Sequence, residues 1–210
     1  MGKRNTIQVN VLDELREYPS GILLEEIAAE LQTRYPHRII MARVNGKLEE
    51  LYKRLSKDAT IEFVTTGEKI GEQSYRRTAT LMLTKAVSDI LGKDEKLVVQ
   101  FSVHKGYYCE IDGYMPMTQE LLDKLQLRME ELRDADLPIV KRTVRTEEAV
   151  AAFKANGMME KINLLKYRRA SRVNIYQLED ISDYYYGYMA PSTGYIARFE
   201  LISYREGFVM

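Results

Sequence analysis

The chain has 210 residues, and its 31 basic and 31 acidic side chains give a formal net charge of zero. This length fits one large domain or two small ones, and a composition that is 45% hydrophobic and 30% charged can bury a core. The balanced charge argues against a dedicated nucleic-acid binder, which usually carries a basic surplus. One Cys and two His exclude an internal disulfide and a Cys/His zinc site and favour a cytoplasmic protein.

No part of the sequence predicts a membrane segment. The first residues lack the apolar run of a signal peptide, and no stretch reaches the ~18 apolar residues of a spanning helix. The 15 Tyr are unusually many, and five of them crowd the segment from Tyr184 to Tyr195. Two interpretations of that segment stay open, a Tyr-rich strand and loop or a ligand pocket lined by rings.

The first 65 residues predict a small α+β unit. Residues Thr6 to Leu12 alternate apolar and polar side chains, as a half-buried strand does. Apolar residues then recur at helical spacing from Ile22 to Tyr35, and Pro36 ends that helix. The pattern further predicts a turn at 18–21, a strand at 39–44, a hairpin turn at Asn45-Gly46 and a strand at 59–64.

The polar, Gly-broken stretch Thr65–Gly71 predicts a boundary, which divides the chain into domains 1–68 and 69–210. The second domain is also expected to be α+β and is large enough for a core of its own. Its expected elements are a helix from Ser74, strands at 97–103 and 106–111, a helix capped by Thr118, an extended piece at 141–144, a helix from Thr146, a short element near 162–165 and a sheet-forming tail from Val173 to Phe208.

No catalytic motif stands out. GxxxxGK[ST], GxGxxG after a strand, HExxH, CxxC and GxSxG are all absent. His37 lies in an expected surface turn and His104 lies between two predicted strands, while Cys109 is mid-strand and reads as a small buried hydrophobe. The sequence therefore predicts no catalytic residue and no metal ligand in this segment.

Two basic clusters are candidate anion sites. Arg76 and Arg77 would fall in the first turn of a helix that starts at Ser74, where a cation opposes the helix dipole. Lys166, Arg168 and Arg169 interleave with a Tyr and could bind phosphates or stack bases, or form a solvated surface with internal salt bridges.

Residues 6–66 resemble a TGS domain, the ubiquitin-like β-grasp module found at the N-terminus of threonyl-tRNA synthetase. The resemblance is carried by Ala42-Arg-Val-Asn-Gly46 and Lys57-Asp-Ala-Thr-Ile-Glu62. The remainder resembles the synthetase's second N-terminal domain, the editing-type domain shared with alanyl-tRNA synthetase, through Lys105-Gly-Tyr-Tyr-Cys-Glu110 and Pro191-Ser-Thr-Gly194. The resemblance implies a β-grasp domain followed by a larger α+β domain.

The run from Asp183 to Gly194, together with Ser74-Tyr-Arg-Arg77 and Leu164-Leu-Lys-Tyr-Arg168, also looks like the N-terminal half of bacterial uridine kinase-like proteins. That resemblance implies a P-loop kinase domain beyond this chain, which would be the partner of this segment and would supply the ATP and Mg site. No cofactor is expected within the segment itself. The implied function is a regulatory or ligand-sensing region of an ATP-dependent uridine or nucleoside kinase.

The synthetase editing domain hydrolyses mischarged tRNA with an HxxxH pair on its first helix and a CxxxH pair near its C-terminus. The resemblance aligns Leu81 and Lys85 with the two His, and Tyr185 and Met189 with the Cys and His. Leu cannot bind a metal and Met is a poor ligand for a hard or borderline one, so editing chemistry is not expected. The cleft is expected either to have filled with core side chains or to form an apolar, aromatic pocket for a small anionic or planar ligand such as a nucleotide.

Three functions follow as hypotheses. A ligand-sensing region of a kinase would use Leu81, Lys85, Tyr185, Met189, His104 and Lys105 with the basic patch Lys166, Arg168 and Arg169. The alternatives are an RNA module that binds tRNA acceptor ends without hydrolysis, and a structural platform for a homodimer.

Overall fold

The computed structural model describes residues 6–155, 159–166 and 170–210. Within residues 6–66 it has seven strands and one α-helix. These are β1 (Thr6–Val11), β2 (Glu14–Pro19), β3 (Ile22–Leu23), α1 (Leu24–Leu31), β4 (Ile39–Val44), β5 (Lys47–Glu50), β6 (Arg54–Leu55) and β7 (Ala59–Thr65).

Five of these strands form a mixed sheet in the order β2-β1-β7-β4-β5. β1 and β7 are parallel, and the other neighbours are antiparallel. Leu24, Ile27 and Leu31 of α1 are buried at helical spacing in the same core as the sheet. The hairpin turn predicted at Asn45-Gly46 is confirmed, since both residues have positive φ, 50° and 78°.

The sequence pattern missed β2. Leu12 and Asp13 form its hairpin turn with φ of 54° and 60°, a conformation that non-glycine residues adopt uncommonly. β2 is an edge strand with mostly exposed and charged side chains, so it lacks the apolar alternation that marks a half-buried strand. The predicted turn at 18–21 is accordingly wrong at its start, because Tyr18 and Pro19 belong to β2.

The rest of the chain contains four helices and seven strands among the described residues. They are α2 (Lys69–Leu91), β8 (Leu97–Val103), β9 (Gly106–Ile111), α3 (Gln119–Asp134), β10 (Val140–Arg145), α4 (Thr146–Ala155), α5 (Met159–Lys166), β11 (Arg172–Leu178), β12 (Ile181–Tyr184), β13 (Ile202–Tyr204) and β14 (Gly207–Val209). The expected mixed α+β fold is confirmed. The boundary between residues 68 and 69 stays a prediction.

α2 begins five residues before the predicted start at Ser74. Glu68 closes the turn that leads into it, because its carboxylate accepts the backbone N–H of Thr65 at 3.1 Å. A Cβ at Gly71 would lie 2.0 Å from the carbonyl oxygen of Thr65, so glycine here lets the helix pass close to β7. Arg76 is therefore not in the first turn, and Glu72 one turn earlier compensates its charge at 2.6 Å.

Two sheets flank the helices. β13-β14-β9-β8 is a four-stranded sheet and β10-β11-β12 a three-stranded one. α2 and α3 share a core with Cys109, Ile111 and Phe208 of the four-stranded sheet and with Tyr176 of the three-stranded one. A smaller core lies under α4 and α5, around Phe153, Leu165, Val173 and Tyr184.

The tail forms less sheet than expected, because much of 185–201 lies outside the strands. Its backbone groups bond instead to the segment after α3. The N–H of Thr193 donates to the carbonyl of Leu137 at 3.0 Å, and that of Ile139 donates to the carbonyl of Pro191 at 2.8 Å. The hydroxyl of Thr193 donates to the carbonyl of Leu132 at 2.6 Å. These hydrogen bonds pair the polar groups of the tail without a β-ladder.

A buried carboxylate ties the first sheet to the rest of the molecule. Glu50 at the end of β5 is 3% exposed and accepts three hydrogen bonds. The Tyr176 hydroxyl donates at 2.7 Å, the Met189 N–H at 2.9 Å and the Lys141 ammonium at 2.8 Å. This cluster, which we call the Glu50 latch, fixes the first sheet against β10 and β11.

Candidate functional site

A cavity of about 700 Å³ lies where the first sheet meets α2 and the β8–β9 hairpin. It is large enough for a nucleotide or a short single-stranded end. We call it the basic cleft and define it by four cations and four aromatic side chains of its lining. They are Arg38, Arg76, Lys105, Arg198, Tyr75, Tyr107, Tyr195 and Phe199.

The cleft concentrates positive charge in a chain whose net charge is zero. Glu72 is the one acidic side chain among the residues described as lining it, against four cationic side chains. Arg76 is paired with Glu72, whereas the Arg38 guanidinium lies over the Tyr195 ring at 4.3 Å from its centroid. A concave surface of one charge sign focuses the potential and attracts ligands of the opposite sign.

The aromatic side chains are held in place by hydrogen bonds to backbone and carboxylate. The Tyr75 hydroxyl donates to the carbonyl of Arg198 at 2.6 Å and accepts the N–H of the same residue at 2.8 Å. The Tyr195 hydroxyl donates to Glu25 of α1 at 2.9 Å. Burial raises the pKa of both phenols above the ordinary value, and for Tyr195 the charge of Glu25 raises it further. Both side chains therefore stay neutral donors at physiological pH.

Sequence reasoning found little of this cleft. Of its members, Lys105 was predicted as a ligand contact, and Arg76 was singled out as a candidate anion site from its supposed place in a first turn. Arg38, Tyr107 and Arg198 come from a loop, a strand and an irregular tail segment, and nothing in their spacing predicts that they meet. The available local signal was the Tyr35-Pro36 turn, which ends the helical segment and leaves Arg38 in a loop directly before β4.

The structure packs the predicted editing-derived pocket into the core. Leu81 and Met189 are 0% and 1% exposed and belong to the cluster between α2 and α3. This correction follows from tail packing, since the Ala190 N–H donates to the Thr78 hydroxyl of α2 at 2.9 Å and holds Met189 inward. Neither Leu81 nor Met189 has free surface to contact a ligand.

Lys85 is also committed within the protein. Its buried ammonium lies 2.5 Å from Asp89, 2.8 Å from Asp180 and 3.2 Å from Glu179. Burial by itself would lower the pKa of Lys85, but the hydrogen bonds to these carboxylates outweigh it and raise the pKa above the usual range. The lysine is charged and neutralised, so it offers no uncompensated charge for a phosphate.

The other predicted contacts are scattered. Tyr185 lines a separate small pocket with Arg77 and Lys161, and burial raises the pKa of its phenol well above the ordinary value. His104 and Lys105 form the exposed β8–β9 turn, with His104 at φ 50°. Lys166 is exposed at the end of α5. Arg168 and Arg169 lie outside the described residues.

The described residues offer neither a metal centre nor a membrane-spanning helix. Within residues 6–155, 159–166 and 170–210, no three His, Cys, Asp or Glu side chains are grouped so that they could hold a metal ion. No helix in the same ranges combines the length and the apolar character that crossing a membrane requires.

The chain is similar to a known domain family and to several known proteins. A family profile described as "TGS domain" matches residues 8–65, which confirms the β-grasp assignment for the first sheet. The threonine–tRNA ligase of Symbiobacterium thermophilum is 33% identical over 190 residues, covering 90% of this chain and 29% of that protein. Threonine–tRNA ligase 1 of Bacillus subtilis and the threonine–tRNA ligase of Thermotoga petrophila are each 32% identical over the same length, with the same coverage.

The chain is thus homologous to the N-terminal region of threonine–tRNA ligases and spans less than a third of the length of these curated relatives. The finding corrects the main functional interpretation. The interpretation of the chain as a regulatory region of a uridine or nucleoside kinase is wrong, because the relatives that match over nine-tenths of the chain are named as tRNA ligases. No finding supports a kinase domain as partner.

Proposed function

We propose that this chain is an RNA-binding module, related to tRNA synthetases, that holds an acceptor-type RNA end in the basic cleft without hydrolysing it. The observation that carries the proposal is the cleft itself, with four cations and four aromatic side chains around about 700 Å³. The homology to threonine–tRNA ligases supports RNA as the ligand class. Such a role places the protein in the cytoplasm.

The lining has the two kinds of group that single-stranded RNA recognition uses. Cations contact phosphates and give affinity that depends on salt, and aromatic rings or guanidinium planes stack on unpaired bases. Arg76 lies 5.6 Å from the centroid of the Tyr107 ring, and Arg133 lies 5.9 Å from that of Phe199. Each of these two cleft rings therefore has a cation beside it, Tyr107 one from the lining and Phe199 one from α3. The neutral net charge of the chain does not oppose binding, because the cations are gathered locally.

Hydrolysis is not expected, because the positions that would carry it are packed in the core or neutralised. The positions that the resemblance aligns with the editing residues are Leu81, Lys85, Tyr185 and Met189. Leu81 and Met189 are core, and Lys85 is neutralised by three carboxylates. A phenol whose pKa is raised well above 10, as that of Tyr185 is, is not a general base at neutral pH.

The test uses a fluorescently labelled acceptor-stem minihelix with a free single-stranded 3′ end. Binding is measured by anisotropy with the wild type and with the double variant Arg76→Ala/Arg198→Ala. Lys47→Ala/Lys93→Ala is the matched control, because both lysines are largely exposed outside the cleft. We expect the cleft variant to weaken binding at least about tenfold, and the control to weaken it far less.

The same RNA, charged with serine, tests the second half of the proposal. We expect deacylation at the uncatalysed rate in the presence of saturating protein. Equal binding by the two double variants would refute the cleft as the RNA site, and faster deacylation would refute the absence of hydrolysis.

A further inference from the structure

A second pocket lies apart from the basic cleft, where α2, α5 and the end of β12 meet. It has a volume of about 340 Å³, at the small end of the range for ligand sites. It shares no lining residue with the basic cleft, so the two are separate sites. We call it the tyrosine pocket and define it by its lining residues, Arg77, Lys161, Leu164, Tyr184, Tyr185 and Tyr186.

Arg77 brings into the tyrosine pocket a cation that no carboxylate of the described residues neutralises. The side chain is half-buried, and its one hydrogen bond within residues 6–155, 159–166 and 170–210 runs from Nη1 to the carbonyl oxygen of Tyr188 at 3.2 Å. A guanidinium has five N–H donors and is always charged in proteins. The charge and most of the donors of Arg77 are therefore available to an anion.

The backbone beside the pocket holds this guanidinium in place. Gly187 has a φ of 127°, and a Cβ at this position would lie 2.6 Å from Cζ of Arg77, so a larger residue would displace the guanidinium. The carbonyl of Gly187 accepts the hydroxyl of the buried Tyr176 at 2.7 Å, which fixes this part of the chain. An anion therefore meets a preorganised group, which lowers the entropic cost of binding.

The second cation of the pocket is already paired. The Lys161 ammonium lies 2.9 Å from a carboxylate oxygen of Asp183, which is 8% exposed. The pocket thus offers one uncompensated positive charge, that of Arg77, and this charge matches a monoanion. A carboxylate carries a single charge and fits a guanidinium with two parallel hydrogen bonds, whereas a phosphate monoester carries about −1.5 to −2 at neutral pH.

The rest of the lining is aromatic and aliphatic. Tyr184 is buried and Tyr185 is half-buried, whereas Tyr186 and Leu164 are 76% and 60% exposed. Aromatic side chains pack against a planar ring in offset or edge-on geometry. A ring that enters the pocket also removes exposed apolar surface of Tyr186 and Leu164 from water, which favours binding.

We propose that the tyrosine pocket binds a small aromatic monocarboxylate. The Arg77 guanidinium receives the carboxylate through two parallel N–H···O hydrogen bonds, and the tyrosine side chains and Leu164 pack on the ring. The proposal is independent of RNA binding by the basic cleft.

Binding of indole-3-acetate to the full 210-residue chain tests the proposal. The chain has no Trp, so the fluorescence anisotropy of the probe is measured without an indole signal from the protein. We expect saturable binding of the acid, and binding at least about tenfold weaker for indole-3-ethanol, which has the same ring without the charge. Benzoate should compete with the probe more strongly than phenyl phosphate does, and the reverse order would contradict the carboxylate class.

Variants of Arg77 test the residue that carries the charge. Arg77→Gln should weaken binding of indole-3-acetate at least about tenfold and should leave binding of indole-3-ethanol nearly unchanged. Arg54→Gln is the matched control, because Arg54 also donates to a backbone carbonyl, that of Gly21 at 2.9 Å, but lies on β6 outside the pocket. Circular dichroism checks that both variants fold.

Leu164 gives a second test that does not depend on the folding of the Arg77 variant. Because its side chain is 60% exposed, Leu164→Glu and Leu164→Lys place opposite charges beside the pocket at little cost to packing. The first should weaken binding of indole-3-acetate and the second should strengthen it. Effects of the same sign would contradict an anion site.

The acceptor-stem minihelix separates this proposal from that of the basic cleft. Arg77→Gln should leave minihelix binding unchanged, and excess minihelix should not displace indole-3-acetate. Displacement of the probe by the minihelix would overturn the proposal, because the pocket would then belong to the RNA site. So would equal effects of the two arginine variants, or no saturable binding of indole-3-acetate by the wild type at millimolar concentration.

Discussion

Removing the charge of Glu50 tests how the first sheet is fixed to the rest of the molecule. In Glu50→Gln the amide oxygen still accepts from the Tyr176 hydroxyl and from the Met189 N–H. The new NH2 group faces the Lys141 ammonium, and because both are donors no hydrogen bond forms between them. Glu50 and the Lys141 side chain are 3% and 15% exposed, so water does not replace the lost partner. Breaking one side of a buried ion pair costs about 3–5 kcal/mol.

That cost should appear as a large fall in thermal stability. For a chain of this size, each kcal/mol lowers the midpoint by about 2–4 °C, so the expected shift is about 6–20 °C. Lys141→Met should cost a similar amount, because it leaves the Glu50 carboxylate buried without its cation. Urea unfolding followed by circular dichroism measures both free energies.

The double variant Glu50→Gln/Lys141→Met decides whether the pair is the cause. It removes the mismatch, so its cost should fall short of the sum of the singles by about 1–3 kcal/mol. Glu120→Gln/Lys124→Met is the matched control, because that helix pair is largely exposed and should show almost no coupling. Additive costs for the Glu50 pair would refute the reasoning.

Three further predictions concern the cleft, a helix cap and the buried thiol. Phe199→Ala should weaken binding of the minihelix by about 1–3 kcal/mol, the value of one stacked base, as measured by anisotropy against the Leu127→Ala control on α3. Thr118→Ala should lower the free energy of unfolding by about 1 kcal/mol, because the Thr118 side chain accepts the Leu121 N–H at 3.3 Å; an unchanged urea midpoint would exclude this cap. Burial raises the pKa of the Cys109 thiol to about 12, whereas the unfolded thiol ionises near pH 8.5. The buried neutral thiol therefore contributes its full stability below about pH 8.5. Above about pH 8.5 the free energy of unfolding should fall by about 1.4 kcal/mol per pH unit. Cys109→Ala should lose this pH dependence.

Local signals predicted the elements that local chemistry determines. Strands β4, β8 and β9 begin and end where their apolar patterns do, and the α3 helix begins after Thr118, whose side chain caps it. The resemblance to a TGS domain gave the β-grasp topology, which the matching profile confirms over residues 8–65.

The errors lie where distant contacts override local signals. Gly71 reads as a loop residue, yet it lies in α2, where the lack of a side chain lets the helix pass close to the carbonyl oxygen of Thr65. The tail reads as sheet, yet its polar groups bond to the last turn of α3 and to the residues after it. Spacing along the chain records neither contact.

The site was harder to predict than the fold for the same reason. Arg38, Arg76 and Arg198 are far apart in sequence and meet only where the first sheet joins α2 and the tail. The predicted contacts followed the positions of the editing residues instead. At two of those positions Leu81 and Met189 are packed in the core, so no editing-type pocket remains around them. The wrong kinase interpretation came from Tyr-rich local motifs, whereas the similarity to threonine–tRNA ligases runs through nine-tenths of the chain.

The most direct test of the account is the salt dependence of minihelix binding. Four cations that contact phosphates of a single-stranded end should give a slope of log K against log salt of about −3. Arg76→Ala/Arg198→Ala should lose about half of that slope, and Lys47→Ala/Lys93→Ala should keep it. Equal slopes in the wild type and the cleft variant, or no binding at low salt, would contradict RNA recognition by the basic cleft.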